Sequence, residues 1–357
     1  MLLQYERGIF VNSFKYKRRY NGLVTELSIR WKSTGLKILF FGTDNFSLPS
    51  LKLLNEERSR SNAIKSLDVV TSFKKPKNVV LKYAENKNLP LHKWPLQHLV
   101  PNRFDLGVVV SFGHLIPEKV ISLCSQGIIN VHASLLPRWR GAAPIIYALK
   151  NGDTKTGVTI MKIEPKHFDV GDVLAQREVS IHSNMFLPEL YGKMAEEGAG
   201  LLVSTVLKFP EALKTAKTQD HSQATYAPKI TPEFCDVNWN HKTALEVFNL
   251  HRALYSYKHL TTKWQMHTIK LVELTLSNHK NINCKPGYVE FYRTGKCLRV
   301  FCKDGSCIEV SKLCVEGRKT MSAIDFNNGF LKGCSRENHY FTHVFECTET
   351  LRATEQI

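Results

Sequence analysis

Short apolar runs alternate with helical patterns through the first part of the chain. A continuous apolar run predicts a buried strand at Lys37–Thr43, and further strands are predicted at Ser66–Ser72, Leu106–Phe112 and Gly127–His132. Segments with helical spacing lie between them, at Phe46–Glu57, Val79–Asn86 and Glu118–Ser125. Strands that alternate with helices predict an α/β fold, with a Rossmann-like, mostly parallel sheet covered on both faces.

The second part of the chain changes its pattern after a polar stretch. Two further strands, at Gly157–Ile163 and Val173–Ile181, and a helix at Leu187–Leu207 complete a predicted first domain over residues 36–208. The Thr-, Gln- and Lys-rich stretch 209–226 is the predicted linker. A helix at Ala244–Leu254 is followed by alternating segments at Thr268–Leu276, Gly287–Arg293, Leu298–Lys303 and Cys307–Leu313. They predict a β-rich, barrel-like (OB-like) domain over residues 227–345 and leave 346–357 as a tail.

Open parallel sheets place their functional sites beyond the carboxyl ends of the strands. Residues Gly42–Asn45, Ser111–Leu115 and Asn130–Pro137 follow three predicted strands, so we expect them to converge. The first of these segments lacks the second and third glycines of a dinucleotide fingerprint. This absence argues against a nicotinamide cofactor.

Two polar residues share one side of the strand Gly127–His132. Side chains two positions apart in a strand face the same way, so Asn130 and His132 project together at its end. The turn Phe168–Asp172 lies between two predicted strands and brings Asp169 as a candidate partner for the imidazole. Taken alone, the histidine also fits a hydrogen-bonded core position, and the aspartates also fit a purely turn-shaping role.

The net charge of the chain indicates a polyanionic partner. The chain carries a net charge of +17 and has an isoelectric point near 9.4, and a basic surface attracts phosphates. Residues 1–34 hold seven Lys and Arg against Glu6 and Glu26. This composition predicts a mitochondrial targeting segment over residues 1–35, although an extension without a function has the same composition.

No membrane segment or metal site is predicted. No apolar run reaches the roughly 18 residues that a membrane-spanning helix needs. The nine cysteines form no CxxC pair, so we expect reduced thiols and no zinc.

Four motifs lie at Asn130–His132, Ser134–Ile145, Thr156–Thr159 and Phe168–Asp172. Together they resemble the methionyl-tRNA formyltransferase family, and the similarity extends from Lys37 to about Gly329. Formyltransferases that act on glycinamide ribonucleotide or nucleotide sugars look similar around Asn130, His132 and Asp169. They typically lack the Trp139–Pro144 continuation. With the basic N-terminus, the mitochondrial type fits best.

The resemblance implies 10-formyltetrahydrofolate as the donor and the methionine amino group of initiator methionyl-tRNA as the acceptor. It implies catalysis by Asn130, His132 and Asp169. The folate would bind at Ser111, Phe112, Gly113, Ser134, Leu135, Leu136 and Pro137. The tRNA would contact Arg138, Arg140, Lys74, Lys75 and Lys77. The loop Ser72–Asn78 is shorter than the basic insertion of bacterial relatives, so recognition is expected to depend more on Lys74, Lys75, Lys77 and the second domain. We expect a monomer in the mitochondrial matrix.

Formyl transfer passes through a tetrahedral intermediate whose oxygen becomes negative. We expect Asn130 and a protonated His132 to donate to that oxygen, and Asp169 to position a proton-shuttling water. Three alternatives remain on this scaffold: a formyl hydrolase, a sugar-amine formyltransferase, and a tRNA-binding protein that has lost catalysis.

Overall fold

The structure is a computed structural model that describes residues 35–97 and 100–345. The predicted targeting segment, apart from Gly35, and the predicted tail lie outside the described residues. The chain divides between Ile129 and Asn130 into two compact units, here called the first and the second unit.

The first unit alternates strands and helices. In chain order its elements are β1 (Leu36–Phe41), α1 (Ser47–Arg60), β2 (Ile64–Thr71), α2 (Val79–Asn86), β3 (Leu91–Lys93), β4 (Leu106–Val110) and α3 (Glu118–Ile121), followed by β5 (Ile128–His132), which crosses the division. Strand β1 pairs in parallel with β2 and β4, and β2 pairs in parallel with β3. Within this unit the strand order is β3-β2-β1-β4.

Burial explains why these segments form a central sheet. Ile38 to Phe41 are almost completely buried, as is every residue of β4, and strands covered on both faces read as continuous apolar runs. Helix α1 contributes Leu51 and Leu54 to the core. Helix α2 begins where the Asn78 side chain accepts a hydrogen bond from Leu81 N at 2.9 Å.

The second unit adds two strands and three helices before residue 215. They are α4 (Pro144–Lys150), β6 (Lys155–Lys162), β7 (Val173–Ser180), α5 (Leu187–Val206) and α6 (Glu211–Lys214). Strands β6 and β7 are antiparallel. Helix α6 and an isolated bridge between Lys217 and Val173 show that the stretch predicted as a linker contains secondary structure and pairs with the edge of β7.

The C-terminal part of the second unit is an antiparallel sheet with one long helix. Its elements are α7 (Ala244–Leu254), β8 (Leu260–Trp264), β9 (His267–Lys280), β10 (Val289–Tyr292), β11 (Cys297–Phe301), β12 (Ser306–Val315), β13 (Thr320–Ser322), α8 (Ala323–Phe326) and β14 (Phe341–Thr342). The strand order is β10-β11-β12-β9-β8-β14, with β13 beside β12. A capping box formed by Thr243 and Glu246 starts α7.

The predicted fold class is confirmed, since a mostly parallel sheet precedes an antiparallel one. The helix bounds of α2 and α7 agree with the predicted ones. The predicted helix Glu118–Ser125 is shorter in the structure. The strand Leu260–Trp264 was missed, because Thr261, Thr262 and Lys263 give it little apolar character. Within the described residues, no helix is long and apolar enough to cross a membrane.

Candidate active site

His132 is held in a fixed orientation at the end of β5. Its side chain is 6% exposed, and Nε2 lies 2.9 Å from the backbone oxygen of Trp139. A carbonyl oxygen can only accept, so Nε2 carries a proton and Nδ1 is the nitrogen that faces the rest of the site. Asn130 is half-buried on the same strand, and its side chain has no hydrogen bond to another described residue.

Asp169 faces the other nitrogen of the imidazole. Its Oδ1 lies 3.4 Å from His132 Nδ1, and its Oδ2 accepts a hydrogen bond from Gly141 N at 2.9 Å. Both ring nitrogens therefore face oxygens, which fixes the orientation of the imidazole. The structure thus brings together a carboxylate and an imidazole that are 37 positions apart in the sequence.

The loop after β5 is fixed by side chains of β6 and β7. Thr159 Oγ1 donates to Ser134 O at 2.7 Å and accepts from Leu136 N at 3.1 Å. Gln176 Nε2 donates to Leu136 O at 2.8 Å. Ser134 Oγ donates to Arg138 O at 2.6 Å. Leu136 is buried, whereas Leu135 and Pro137 are half-exposed and can contact a ligand.

Asp153 organises the exposed part of this loop. Its carboxylate accepts two hydrogen bonds from Arg138, at 2.7 and 2.9 Å, and one from Trp139 Nε1 at 2.8 Å. The Arg138 guanidinium lies 4.3 Å from the Trp139 ring centre. The hydrogen bond with Asp153 raises the pKa of Arg138. The Arg138 side chain remains 46% exposed, so it can still reach a phosphate.

Arg140 differs from Arg138 because it is only 4% exposed. Its guanidinium donates to Gln219 Oε1 at 2.7 and 3.2 Å and lies 3.1 Å from His221 Nδ1. A buried guanidinium that is engaged inside the protein is not available to an external phosphate. This geometry does not fit the expectation that Arg140 contacts tRNA.

Gly141 allows the loop to approach the predicted linker closely. Its φ is +115°, and a Cβ at this position would lie 2.8 Å from Ala227 O. On the two sides of Gly141, Arg140 N donates to Thr225 O at 2.8 Å and Ala143 N donates to Ala227 O at 3.0 Å. An alanine here would push two hydrogen-bonded segments apart.

Replacing Gly141 with alanine is therefore expected to lower the free energy of unfolding by about 1–3 kcal/mol and to reduce activity. Gly317→Ala is the matched control, because Gly317 has a φ of +73° and a Cβ there would have no neighbour within 4 Å. Urea unfolding of both variants measures the effect. Equal losses in the two variants would mean that the contact with Ala227 adds nothing to the backbone strain.

Three predicted folate residues lie in the first unit, after β4. Ser111 has a φ of +46° and Gly113 a φ of +73°, so the chain turns sharply between them. The ring of Phe112 is buried and packs edge-on against Phe41 and Trp94, with centroids 5.5 and 5.1 Å apart. These contacts fix the turn.

Asp44 holds this turn to the end of β1. Ser111 Oγ donates to Asp44 Oδ2 at 2.5 Å, and Asp44 Oδ1 accepts from Phe46 N and Ser47 N, both at 3.1 Å. Burial raises the pKa of Asp44, and the hydrogen bonds from Ser111, Ser47 and Phe46 oppose that shift. Two of the segments expected to converge, after β1 and after β4, do so.

The three predicted tRNA lysines lie on an exposed loop of the first unit. Lys74, Lys75 and Lys77 are all exposed, and Lys77 Nζ lies 2.7 and 3.0 Å from the carboxylate oxygens of Glu85. An exposed pair of this kind is weak. The three lysines therefore remain accessible to a polyanion.

The described residues contain no group of three or more His, Cys, Asp or Glu side chains that could hold a metal ion. An open cavity of about 320 Å³ is lined by Phe186, Pro188, Glu189 and Tyr255, and His132 is not part of its lining. Its mainly apolar walls lack the combination of amide, imidazole and carboxylate. The site around His132, and not this cavity, is therefore the candidate active site.

Sequence reasoning missed the residues that support the site. They are Asp153, Gln176, Gln219 and Thr225, which bind the loop or the Asp169 turn. Asp153 follows Asn151 and Gly152, so the sequence signals only a turn there. Nothing in the polar stretch around Gln219 and Thr225 distinguishes it from a solvent-exposed connection.

Two family models match most of the described chain. The formyl transferase model matches residues 36–206, and the formyl transferase C-terminal domain model matches residues 229–331. The chain is 37% identical over 329 residues to the mitochondrial methionyl-tRNA formyltransferase of Rattus norvegicus, covering 88% of this chain and 84% of the relative. It is 38% identical over 314 residues to the human mitochondrial enzyme, covering 85% and 79%.

Similarity extends to a bacterial sequence and to solved structures. The methionyl-tRNA formyltransferase of Fusobacterium nucleatum is 33% identical over 307 residues, with 83% of this chain and 98% of the relative covered. A sugar 3N-formyl transferase solved with dTDP and 5-N-formyl-THF has a TM-score of 0.58 at 20% identity, over 77% of this chain and 97% of that one. HypX from Aquifex aeolicus, in complex with tetrahydrofolic acid, has a TM-score of 0.54 at 19% identity, over 84% and 48%. At such identities the structures indicate a shared fold only.

Proposed function

The chain belongs to the methionyl-tRNA formyltransferase family, and we infer that it transfers the formyl group of 10-formyltetrahydrofolate to the amino group of methionine on initiator methionyl-tRNA. The observation that carries this function is the 37% identity over 88% of the chain. The two family models, over residues 36–206 and 229–331, include the loop after β5 and most strands of the antiparallel C-terminal sheet. The similarity therefore extends beyond the residues around Asn130, His132 and Asp169.

The experiment is an incubation with 10-formyltetrahydrofolate and charged initiator tRNA, scored as formylmethionine. A parallel reaction offers a nucleotide amino sugar, and a third offers water alone as the acceptor. Formylmethionine in the first reaction only is the expected result. Formylation of the sugar, release of free formate, or tRNA binding without turnover would each support one of the three alternatives instead.

We propose that Asn130 stabilises the oxyanion of the tetrahedral intermediate. The methionine nitrogen attacks the formyl carbon, the carbonyl oxygen becomes negative, and the bond from that carbon to the folate nitrogen then breaks. The Asn130 amide is half-buried and has no hydrogen bond to another described side chain. Its NH₂ group is therefore available to donate to the oxyanion.

We propose that His132 and Asp169 act together in proton transfer. The attacking amine must lose a proton, and the departing folate nitrogen must gain one. Because Nε2 of His132 donates to Trp139 O, Nδ1 is the nitrogen left for the relay, and it lies 3.4 Å from Asp169 Oδ1. In this arrangement Asn130 is the main group that stabilises the oxyanion. His132 and Asp169 transfer the protons through a water molecule that lies between them and the substrate.

The folate is proposed to bind along two loops. In the second unit it would lie along Ser134, Leu135, Leu136 and Pro137, where Thr159 and Gln176 hold the backbone in place. In the first unit it would contact Ser111, Phe112 and Gly113, whose turn is fixed by Asp44. Preorganised backbone groups of this kind lower the entropy cost of ligand binding.

The tRNA is proposed to contact Arg138 in the second unit and Lys74, Lys75 and Lys77 in the first. Arg140 is left out of this set because it is buried. Residues 227–345 are proposed to be the tRNA-binding domain and residues 36–208 the catalytic domain; the family models over residues 36–206 and 229–331 support this division. The rat and human relatives are mitochondrial enzymes, which supports a mitochondrial location, and we propose the matrix and a monomeric state.

Salt is expected to weaken tRNA binding far more than folate binding. Four phosphate contacts imply a loss of tRNA affinity of about 100-fold between 50 and 200 mM salt, because each neutralised phosphate releases a counterion. Folate binding at the preorganised loops should change less than about threefold. Filter binding and fluorescence titration over this range measure the two affinities. Equal salt sensitivity would contradict this division of contacts.

A further inference from the structure

Gln219 contacts the turn that carries Asp169, although it lies in the predicted linker. Its side chain is buried, at 5% exposure. Gln219 Nε2 donates to Asp169 O at 3.0 Å and to Gly171 O at 2.8 Å. Its Oε1 accepts two hydrogen bonds from Arg140, at 2.7 and 3.2 Å. All the donors and acceptors of the amide are therefore used.

Arg140 decides which way the amide of Gln219 faces. A guanidinium can only donate, so the oxygen of the amide must point at Arg140 and its nitrogen at the two carbonyl groups. Among the described residues, Arg140 has no carboxylate within 4 Å, and its other contact is His221. Arg140 and Gln219 thus link the loop after β5 to the Asp169 turn through hydrogen bonds, and the guanidinium fixes the orientation of the amide.

The Asp169 turn needs support of this kind. Asp169 has a φ of +56°, a conformation that costs an L-residue about 1–3 kcal/mol and persists only when neighbours hold it. The carboxylate is held by Gly141 N, and the backbone on either side of Val170 is held by Gln219. The distance from Asp169 Oδ1 to His132 Nδ1 therefore depends on both contacts.

We propose that Gln219 is a positioning residue for formyl transfer, which fixes the backbone of the Asp169 turn so that the carboxylate faces His132. The inference rests on the proposed function of Asp169 as part of the proton relay. It gives the stretch 209–226 a role in the reaction besides connecting two domains. Gln219 itself does not touch the substrate.

The substitution Gln219→Glu tests this role, because it keeps the contact with Arg140 and removes only the hydrogen bonds to the Asp169 turn. A glutamate keeps its acceptors for Arg140 and adds an opposite charge, but it cannot donate to Asp169 O or Gly171 O. The fold should persist, whereas the turn loses its two donors. We expect kcat to fall about 10- to 100-fold, since a displacement of about 1 Å in a catalytic group has an effect of this size. KM for both substrates should stay within about threefold.

Gln223→Glu is the matched control. Gln223 lies four positions later, is exposed, and bonds only to Asp220 among the described residues. Its replacement introduces the same change in charge and should leave kcat unchanged. If Gln219→Glu does not fold, Gln219→Asn retains an amide one carbon shorter, and the same measurements apply to it.

A double-mutant cycle with Asp169→Asn provides the deciding measurement. If Gln219 acts through the Asp169 carboxylate, Gln219→Glu should change kcat less than about threefold in the Asp169→Asn background. If Gln219→Glu only reduced the amount of folded protein, its fold-decrease in kcat would be the same in the Asp169→Asn background as in the unaltered protein. Additive effects, or an unchanged kcat in Gln219→Glu alone, overturn the inference. Failure of the proposed function is distinct, because the unaltered protein would then form no formylmethionine.

Discussion

Replacing His132 with glutamine is expected to lower kcat by about 10²–10⁴-fold, the range associated with loss of a general acid or base. Glutamine Nε2 can occupy the place of the imidazole Nε2 and donate to Trp139 O, which is 2.9 Å away in the structure. The loop after β5 should therefore keep its shape. The amide of glutamine cannot take up and release a proton near neutral pH, so the relay to Asp169 is lost.

His182→Gln is the matched control for this prediction. His182 also lies beside a carboxylate, with Nε2 3.1 Å from Glu189, but both side chains are more than half exposed. Single-turnover formylation of methionyl-tRNA measures both variants, and circular dichroism checks the fold. We expect full activity in His182→Gln. Turnover of His132→Gln within tenfold of the unaltered protein would remove His132 from proton transfer.

Replacing Asn130 with alanine is expected to lower kcat by about 10²–10³-fold, as loss of a single oxyanion donor does in other acyl-transfer enzymes. The amide is half-buried at the end of β5 and has no hydrogen bond to another described side chain. Its removal should therefore leave the loop and the Asp169 turn in place. The loss should fall on kcat and on kcat/KM equally, because the oxyanion exists only in the transition state and intermediate.

Asn151→Ala provides the comparison. The Asn151 side chain is exposed at the end of α4 and bonds only to the backbone of Tyr147 among the described residues. In steady-state kinetics with methionyl-tRNA and 10-formyltetrahydrofolate, kcat and KM of Asn151→Ala should equal those of the unaltered protein. If Asn130→Ala raised KM without lowering kcat, the amide would serve ground-state binding of the folate rather than the oxyanion.

The acceptor substrate depends on features other than the fold. The sugar 3N-formyl transferase shares the fold at a TM-score of 0.58 but is only 20% identical to this chain. Fold alone therefore does not decide between a tRNA and a nucleotide sugar. The continuation Trp139–Pro144, by which the sequence resembles the tRNA enzymes, supports the candidate site in the structure. The carbonyl oxygen of Trp139 orients His132, and the amide of Gly141 donates to Asp169.

Local patterns in the sequence were sufficient for the fold class and for half of the candidate site. Continuous apolar runs predicted the buried strands, and the two-residue repeat of a strand placed Asn130 and His132 on the same side. These inferences succeed because they depend on residues that are neighbours in the chain. The strand Leu260–Trp264 was missed because its pattern is polar at three of five positions.

Tertiary structure decided the rest, because the remaining contacts join residues that are far apart in the chain. The approach of Asp169 to His132 spans 37 positions, and the hydrogen bond of Gln219 to the Asp169 turn spans 50. From the sequence, Arg138 and Arg140 had the same predicted role in tRNA binding, since both are basic residues in one loop. Packing separates them: Arg138 lies at the surface, and Arg140 is buried against an amide from the predicted linker. Burial depends on what the folded chain places opposite a side chain, and no local pattern encodes that.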